Sequence, residues 1–153
     1  MVIQRWQSVL LLISVILMGC FSFLSLGQIQ TEYVTYNFMP WGIIQEGDMA
    51  SENVSISTWY IFAISLLSAI LPLIAIFTYK NLKLQKRLCI LTVISIICVI
   101  LACAILAYQS FSGAEIQWSS LICAPFISLI SVAMAYQRIS ADQRTIRESE
   151  RIR

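Results

Sequence analysis

The sequence predicts an all-α integral membrane protein, a four-helix transmembrane bundle, with a small extracytoplasmic β-hairpin expected between spans 1 and 2. Three observations carry this prediction. The chain has 153 residues, 59% hydrophobic and 12% charged, against roughly 45–50% and about 25% in soluble domains. Four apolar runs contain no charge. The ten Lys and Arg residues occupy alternate intervals between those runs and are missing from the others.

The runs are Val9 to Leu26, Trp59 to Thr78, Leu88 to Tyr108 and Trp118 to Tyr136. Each holds about 20 residues, enough to cross a hydrocarbon core about 30 Å thick as an α-helix. Helices are required because lipid offers no partner to an unpaired backbone group. Aromatic rings mark the ends: Trp6, Trp59, Tyr60, Tyr79, Tyr108, Trp118 and Tyr136. Such rings settle at headgroup level and so support the boundaries independently of hydropathy. The chain therefore reads as one membrane domain, residues 1–153, with an outer loop at 27–58 and a tail at 137–153. The apolar run continues through Phe21, Phe23, Leu24 and Leu26, which favours a retained anchor over a cleaved signal peptide. Leu17-Met18-Gly19-Cys20 has the form of a lipoprotein box, but a cysteine packed in the helix is the favoured reading.

Orientation follows from the cations. Arg5 precedes the first span; Lys80, Lys83, Lys86 and Arg87 lie between the second and third; Arg138, Arg144, Arg147, Arg151 and Arg153 follow the fourth. The connections Gly27 to Thr58 and Gln109 to Gln117 contain only acids: Glu32, Glu46, Asp48, Glu52 and Glu115. Under the positive-inside rule both termini and the middle link are cytoplasmic. The same ten cations are the residues expected to set topology and to contact the phosphates of anionic headgroups.

The long outer connection carries strand signals. Ile29 to Phe38 is rich in Thr, Tyr and Val, with Val34, Tyr36 and Phe38 alternating against Thr35 and Asn37; Pro40 and Gly42 can turn the chain into Ile43-Ile44, and Val54 to Ser57 suits a further strand. Within the spans, small and hydroxylated residues recur at helical spacing: Ser65, Ser68, Pro72 and Ala75; Thr92, Ser95 and Ala102; Ala124, Ser128, Ser131 and Ala135. Such seams let helices approach closely in lipid. A polar path for a solute is the alternative, and packing is favoured because no Asp, Glu, Lys, Arg or His falls inside any run. Pro72 and Pro125 are expected to kink their helices. The tail reads as a polar helix with pairs such as Glu148 and Arg151, a solvated extension or a surface helix touching anionic lipid or a partner.

No catalytic, cofactor-binding or metal-ligating set emerges. Histidine is absent, which removes the commonest general base and metal ligand. The cysteines Cys20, Cys89, Cys98, Cys103 and Cys123 lie in or beside apolar runs without CxxC spacing and read as packing residues. There is no phosphate-binding loop, GxSxG or HExxH motif. The outer carboxylates read as a solvated acidic surface.

Three segments resemble a known family. Ile3-Gln4-Arg5-Trp6-Gln7 running into Leu10-Leu11-Leu12, the link Lys80-Asn81-Leu82-Lys83-Leu84-Gln85-Lys86-Arg87-Leu88-Cys89, and the tail Asp142 to Arg153 are similar to the corresponding parts of small four-span inner-membrane proteins of Bacteroidota, a domain-of-unknown-function family. The tail departs at Glu148, where a serine is expected, and at Thr145, where an apolar residue is usual. The resemblance implies a bacterial cytoplasmic-membrane location and four-helix topology, and it brings no activity with it. The expectation is a non-enzymatic scaffold or accessory subunit. A small oligomeric transporter or channel subunit is the alternative, and an enzyme of lipid or envelope material the last choice. Expected partners are the bilayer, with anionic headgroups on the cytoplasmic face, and a membrane-protein partner or second copy, with no nucleic acid and no cofactor.

Overall fold

The computed structural model describes residues 2–30, 35–46, 54–78, 81–110 and 115–151. Tyr79, Lys80 and Arg153 and the carboxylates Glu32, Asp48 and Glu52 lie outside the described residues. Four helices form the body: α1 (Val2–Phe23), α2 (Trp59–Phe77), α3 (Leu82–Ser110) and α4 (Ala124–Arg151). All four are long and apolar enough to cross a membrane. At 1.5 Å per residue, α3 and α4 each extend over about 42–44 Å, longer than a hydrocarbon core. Their ends therefore carry the charged flanks Lys83, Lys86, Arg87, Arg138 and Arg144 as continuous helix.

Each helix packs on two neighbours in the order α1–α2–α3–α4, closing back on α1. The buried positions explain this arrangement. They run Gln7, Leu11, Ser14, Met18, Phe21 on α1; Ile61, Ser65, Ser68, Pro72, Ala75 on α2; and Gln85, Cys89, Thr92, Ile96, Val99, Leu106 on α3. On α4, Ala124, Ser128, Ser131, Val132, Ala135 and Ile139 are buried. Spacings of four and three alternate, so the buried stripe follows a heptad and suits helices crossing at a shallow angle of about 20°. Leu12, Ile16, Leu67, Ile70, Ile94, Leu101, Ile127 and Ile130 point outward and exposed. Hydroxyls share the inside with Leu11, Met18, Ile61, Ile96 and Ile139, and large aliphatics cover the outside as well, where a water-soluble bundle would be polar.

The prediction of an all-α protein with one hairpin needs correction. The connections build a five-stranded antiparallel sheet in the order β4-β3-β2-β1-β5, with β1 Gly27–Gln30, β2 Thr35–Met39, β3 Gly42–Glu46, β4 Val54–Ser57 and β5 Glu115–Trp118. The stretch expected as one strand from Ile29 to Phe38 is instead two strands paired face to face, Gln30 opposite Thr35 and Gly27 opposite Phe38. The turn at Pro40-Trp41 and the strand at Val54–Ser57 are as expected. β5 was not anticipated; it comes from the connection between α3 and α4 and adds to β1, so both acid-only connections share one sheet.

The sheet is tied to the helix ends by main-chain bonds. Leu26 N donates to Phe38 O (2.8 Å) and Ser119 N to Leu26 O (2.9 Å). The Thr58 hydroxyl, fully buried just before α2, donates to Pro40 O at 2.9 Å. Gly27 is required by close approach, since a Cβ there would lie 2.8 Å from Gln117 O of β5. Pro72 does stand inside α2, on its buried face. Pro125 instead occupies the first turn of α4, after a 3-10 turn over Ser120–Cys123, where its missing N–H interrupts no helical bond.

Candidate functional site

No cluster of described His, Cys, Asp or Glu residues could hold a metal ion. The cysteines are all free, and only Cys89 is fully buried; Cys98 and Cys123 are exposed on the outside of their helices rather than packed within the bundle. The residues with chemistry to offer are the polar seam and the cationic end opposite the sheet.

Most of the seam is satisfied by its own helices. The hydroxyls of Ser22, Thr92 and Ser131 donate to the carbonyls four residues back, Met18, Leu88 and Ile127, at 2.8–2.9 Å. Ser65 and Ser68 donate three residues back, to Phe62 O and Ser65 O. Two hydroxyl pairs cross between helices: Ser14 and Ser128 at 2.6 Å join α1 to α4, and Ser22, whose single proton is shared between Met18 O and Ser65 Oγ at 3.0 Å, joins α1 to α2. A seam of this kind is built for close packing.

At the basic end the pattern changes. Gln7 on α1, only 2% exposed, donates its amide to the carboxylate of Asp142 on α4. Asp142 lies beyond the expected fourth span, on the helix that continues out of it. Among the described residues, three buried atoms at this end have no hydrogen-bond partner: Gln85 Oε1, Ser140 Oγ and Gln143 Nε2. Gln7, Gln85 and Asp142 lie just outside the charge-free apolar runs and do not stand out in them. Their heptad phase was the available signal: Gln7 is seven before Ser14, Gln85 seven before Thr92, and Asp142 seven after Ala135.

The cations expected to set topology are distributed around this end. Lys83 and Arg87 are exposed near the start of α3, and Lys86 beside them reaches across to α4, its Nζ 5.0 Å from the centre of the Tyr136 ring. Arg138 is exposed. Arg144 donates to Glu148 at 3.0 Å across one helical turn, both side chains open to solvent. Arg5, Arg147 and Arg151 are placed on α1 and α4 by the backbone alone, so the expected pairing of Arg151 with Glu148 lies outside the described side chains on the arginine's part. Lys83, Lys86 and Arg87 sit near a helix N-terminus, whose partial positive charge opposes theirs. They add to that charge rather than neutralise it, and α3 has no acid in its first turn.

Two outward clefts flank the α3–α4 seam. One, of about 210 Å³ at the sheet end, is lined by Phe21, Ile100, Cys103, Trp118 and Phe126 among others. The other, of about 330 Å³, lies toward the basic end between Cys89–Ile94 and Ala133–Gln137.

A four-helix body with aliphatic outer faces, an inward hydroxyl seam and helices long enough to span a bilayer is the architecture of a multi-pass membrane protein. The chain matches, over residues 3–152, the family described as Domain of unknown function (DUF4293), and it belongs to that family. No curated protein sequence matches it.

Proposed function

We propose that this protein is a multi-pass component of a bacterial cytoplasmic membrane, with both termini and the α2–α3 link inside and the sheet outside, acting as a scaffold or accessory subunit without chemistry of its own. One observation carries the orientation: the two connections without Lys or Arg are joined through β1 and β5, while the cations lie in the first turn of α1, in the link from α2 into the first turns of α3, and at the C-terminal end of α4 and just beyond it. The resemblance of the opening, link and tail to inner-membrane proteins of Bacteroidota supports the bacterial setting. The satisfied hydroxyl seam supports a structural bundle, and aliphatic outer faces on all four helices leave room for lipid or a partner.

Reporter fusions test the topology. A reporter after Arg153 should be active in the cytoplasm and one inserted beside Asp48 should be active outside; the opposite result overturns the orientation. Neutralising Lys80, Lys83, Lys86 and Arg87 together should produce mixed orientation, read by labelling introduced cysteines from each side. Purification in mild detergent tests the role: a stoichiometric partner supports a scaffold, and repeated isolation of a lone monomer argues against it. The transporter alternative is favoured by the unpartnered Gln85, Ser140 and Gln143 atoms in the bundle interior. Solute flux in vesicles holding the purified chain, lost on Gln85→Leu, would move the reading to that class.

A further inference from the structure

The α3–α4 cleft at the basic end combines two chemistries in one line. Its walls are Ile90, Val93 and Ile94 on α3 and Ala133 and Tyr136 on α4, with Cys89 among the lining residues, and it encloses about 330 Å³. The gap exists because Ala133 is short where its neighbours on the outer face, Ile130 and Met134, are long. Toward the end of α3, Lys86 is four residues before Ile90 and seven before Val93, so it lies on the wall's own helical face. Its ammonium hangs over Tyr136, 5.0 Å from the ring centre. Lys83, another turn outward and exposed, continues the same face. From the middle of the bundle to its basic end the cleft therefore runs apolar, then aromatic, then cationic, with the positive end of the α3 dipole beyond.

That order is the complement of an anionic amphiphile. We propose that this cleft binds one anionic phospholipid, an acyl chain lying against Val93 and Ala133 and the headgroup phosphate held by Lys86 with Lys83 beside it. The inference rests on the proposed placement of this end at the cytoplasmic leaflet, where anionic lipids concentrate. Charge complementarity selects this occupant over a zwitterionic lipid. A soluble phosphate would leave the apolar walls unfilled. The lysine stem can lie along the apolar wall while its ammonium reaches headgroup level, so occupancy by lipid requires no rearrangement of α3.

The test is native mass spectrometry of the full chain in mild detergent, titrated with phosphatidylglycerol or with phosphatidylcholine of the same chains. One phosphatidylglycerol per chain should be retained in preference to phosphatidylcholine. Lys86→Gln should weaken phosphatidylglycerol retention about fivefold and leave phosphatidylcholine unchanged, and Lys86→Arg should restore it. Ala133→Phe should lower retention of both lipids by filling the cleft. Arg138→Gln removes the same charge from the helix carrying Ala133 and Tyr136, without touching the ammonium that Lys86 holds over the Tyr136 ring, and should have no effect. Equal losses from Lys86→Gln and Arg138→Gln would mean diffuse charge attraction and overturn the site. So would displacement of the lipid by soluble glycerol phosphate, or equal retention of the two lipids. A chain that fails to insert into vesicles at all would instead overturn the membrane reading, which separates the two failures.

Discussion

The two ends of the bundle are held together by different means. At the sheet end, α1, α2 and α4 are joined through backbone: β1 pairs with both β2 and β5, and Leu26 and Ser119 extend the main-chain network to the helix ends. At the basic end the described contacts of α4 with α1 and α3 are made by side chains, Gln7 with Asp142 and Lys86 over Tyr136. Backbone pairing is indifferent to most side chains and fails only where a Cβ intrudes. Side-chain pairing depends on each partner and leaves atoms unpaired where the match is incomplete, as at Gln85, Ser140 and Gln143. The difference suits one end to be a fixed cap and the other to be the place where sequence tunes contacts with lipid or partner.

Substitutions can break this comparison, and the largest effect is expected at the cap. Gly27→Val drives a branched side chain into Gln117 O, which a single Cβ already approaches to 2.8 Å. Detachment of β5 should cost about 3 kcal/mol, seen as a lowered midpoint when unfolding in detergent is followed by circular dichroism. A neighbouring Gln28→Ala, which leaves the main chain alone, should be nearly silent; if it matched Gly27→Val, backbone pairing would not be what holds the cap.

Next comes the basic end. Asp142→Leu leaves the nearly buried Gln7 amide without its acceptor and should cost about 1–3 kcal/mol in the same measurement. Adding Gln7→Leu should recover much of that loss, because the pair is then replaced by apolar contact. Absence of recovery would place the cost elsewhere than in the unpaired amide.

Midway between the ends, Ser14→Ala and Ser128→Ala test the hydroxyl pair across α1 and α4. A double-mutant cycle should return a coupling of about 0.6 kcal/mol, the ordinary size for such bonds between membrane helices. The smallest effect belongs to Arg144→Ala. Its partner Glu148 is one turn away and both are well exposed, so stability should stay within measurement error. A clear loss would show that the tail is braced by contacts beyond that pair.

Much of the cap was legible in residues and part of it was not. Pro40, with its fixed φ, and Gly42 mark the turn between β2 and β3, and the β-branched Val54 and Ile56 alternating with serines mark β4. The alternation of Val34, Tyr36 and Phe38 against Thr35 and Asn37 marks β2, whereas Gly27–Gln30 carries no comparable pattern and becomes a strand by pairing with β2 and β5. Glu115–Trp118 is too short to signal itself; its partner lies far back in the chain at Gly27–Gln30. In the bundle, seams with a run of small residues were visible on α2 and α4, whereas that of α1 was hidden because large and polar residues alternate in it: Gln7, Leu11, Ser14, Met18, Phe21.

By itself the sequence determined that four apolar helices form, which intervals carry cations, and that hydroxyls recur along helical faces. Those are sums over single residues and their near neighbours, and hydropathy, charge and helical period report them directly. Only the tertiary structure decided that the two acid-only connections share a sheet, that Gln7 meets Asp142, and that Ala133 opens a cleft beneath Lys86. Each of these is a meeting of distant segments. It depends on how the helices rotate and slide against one another, and that balance is struck by the packing of all four together.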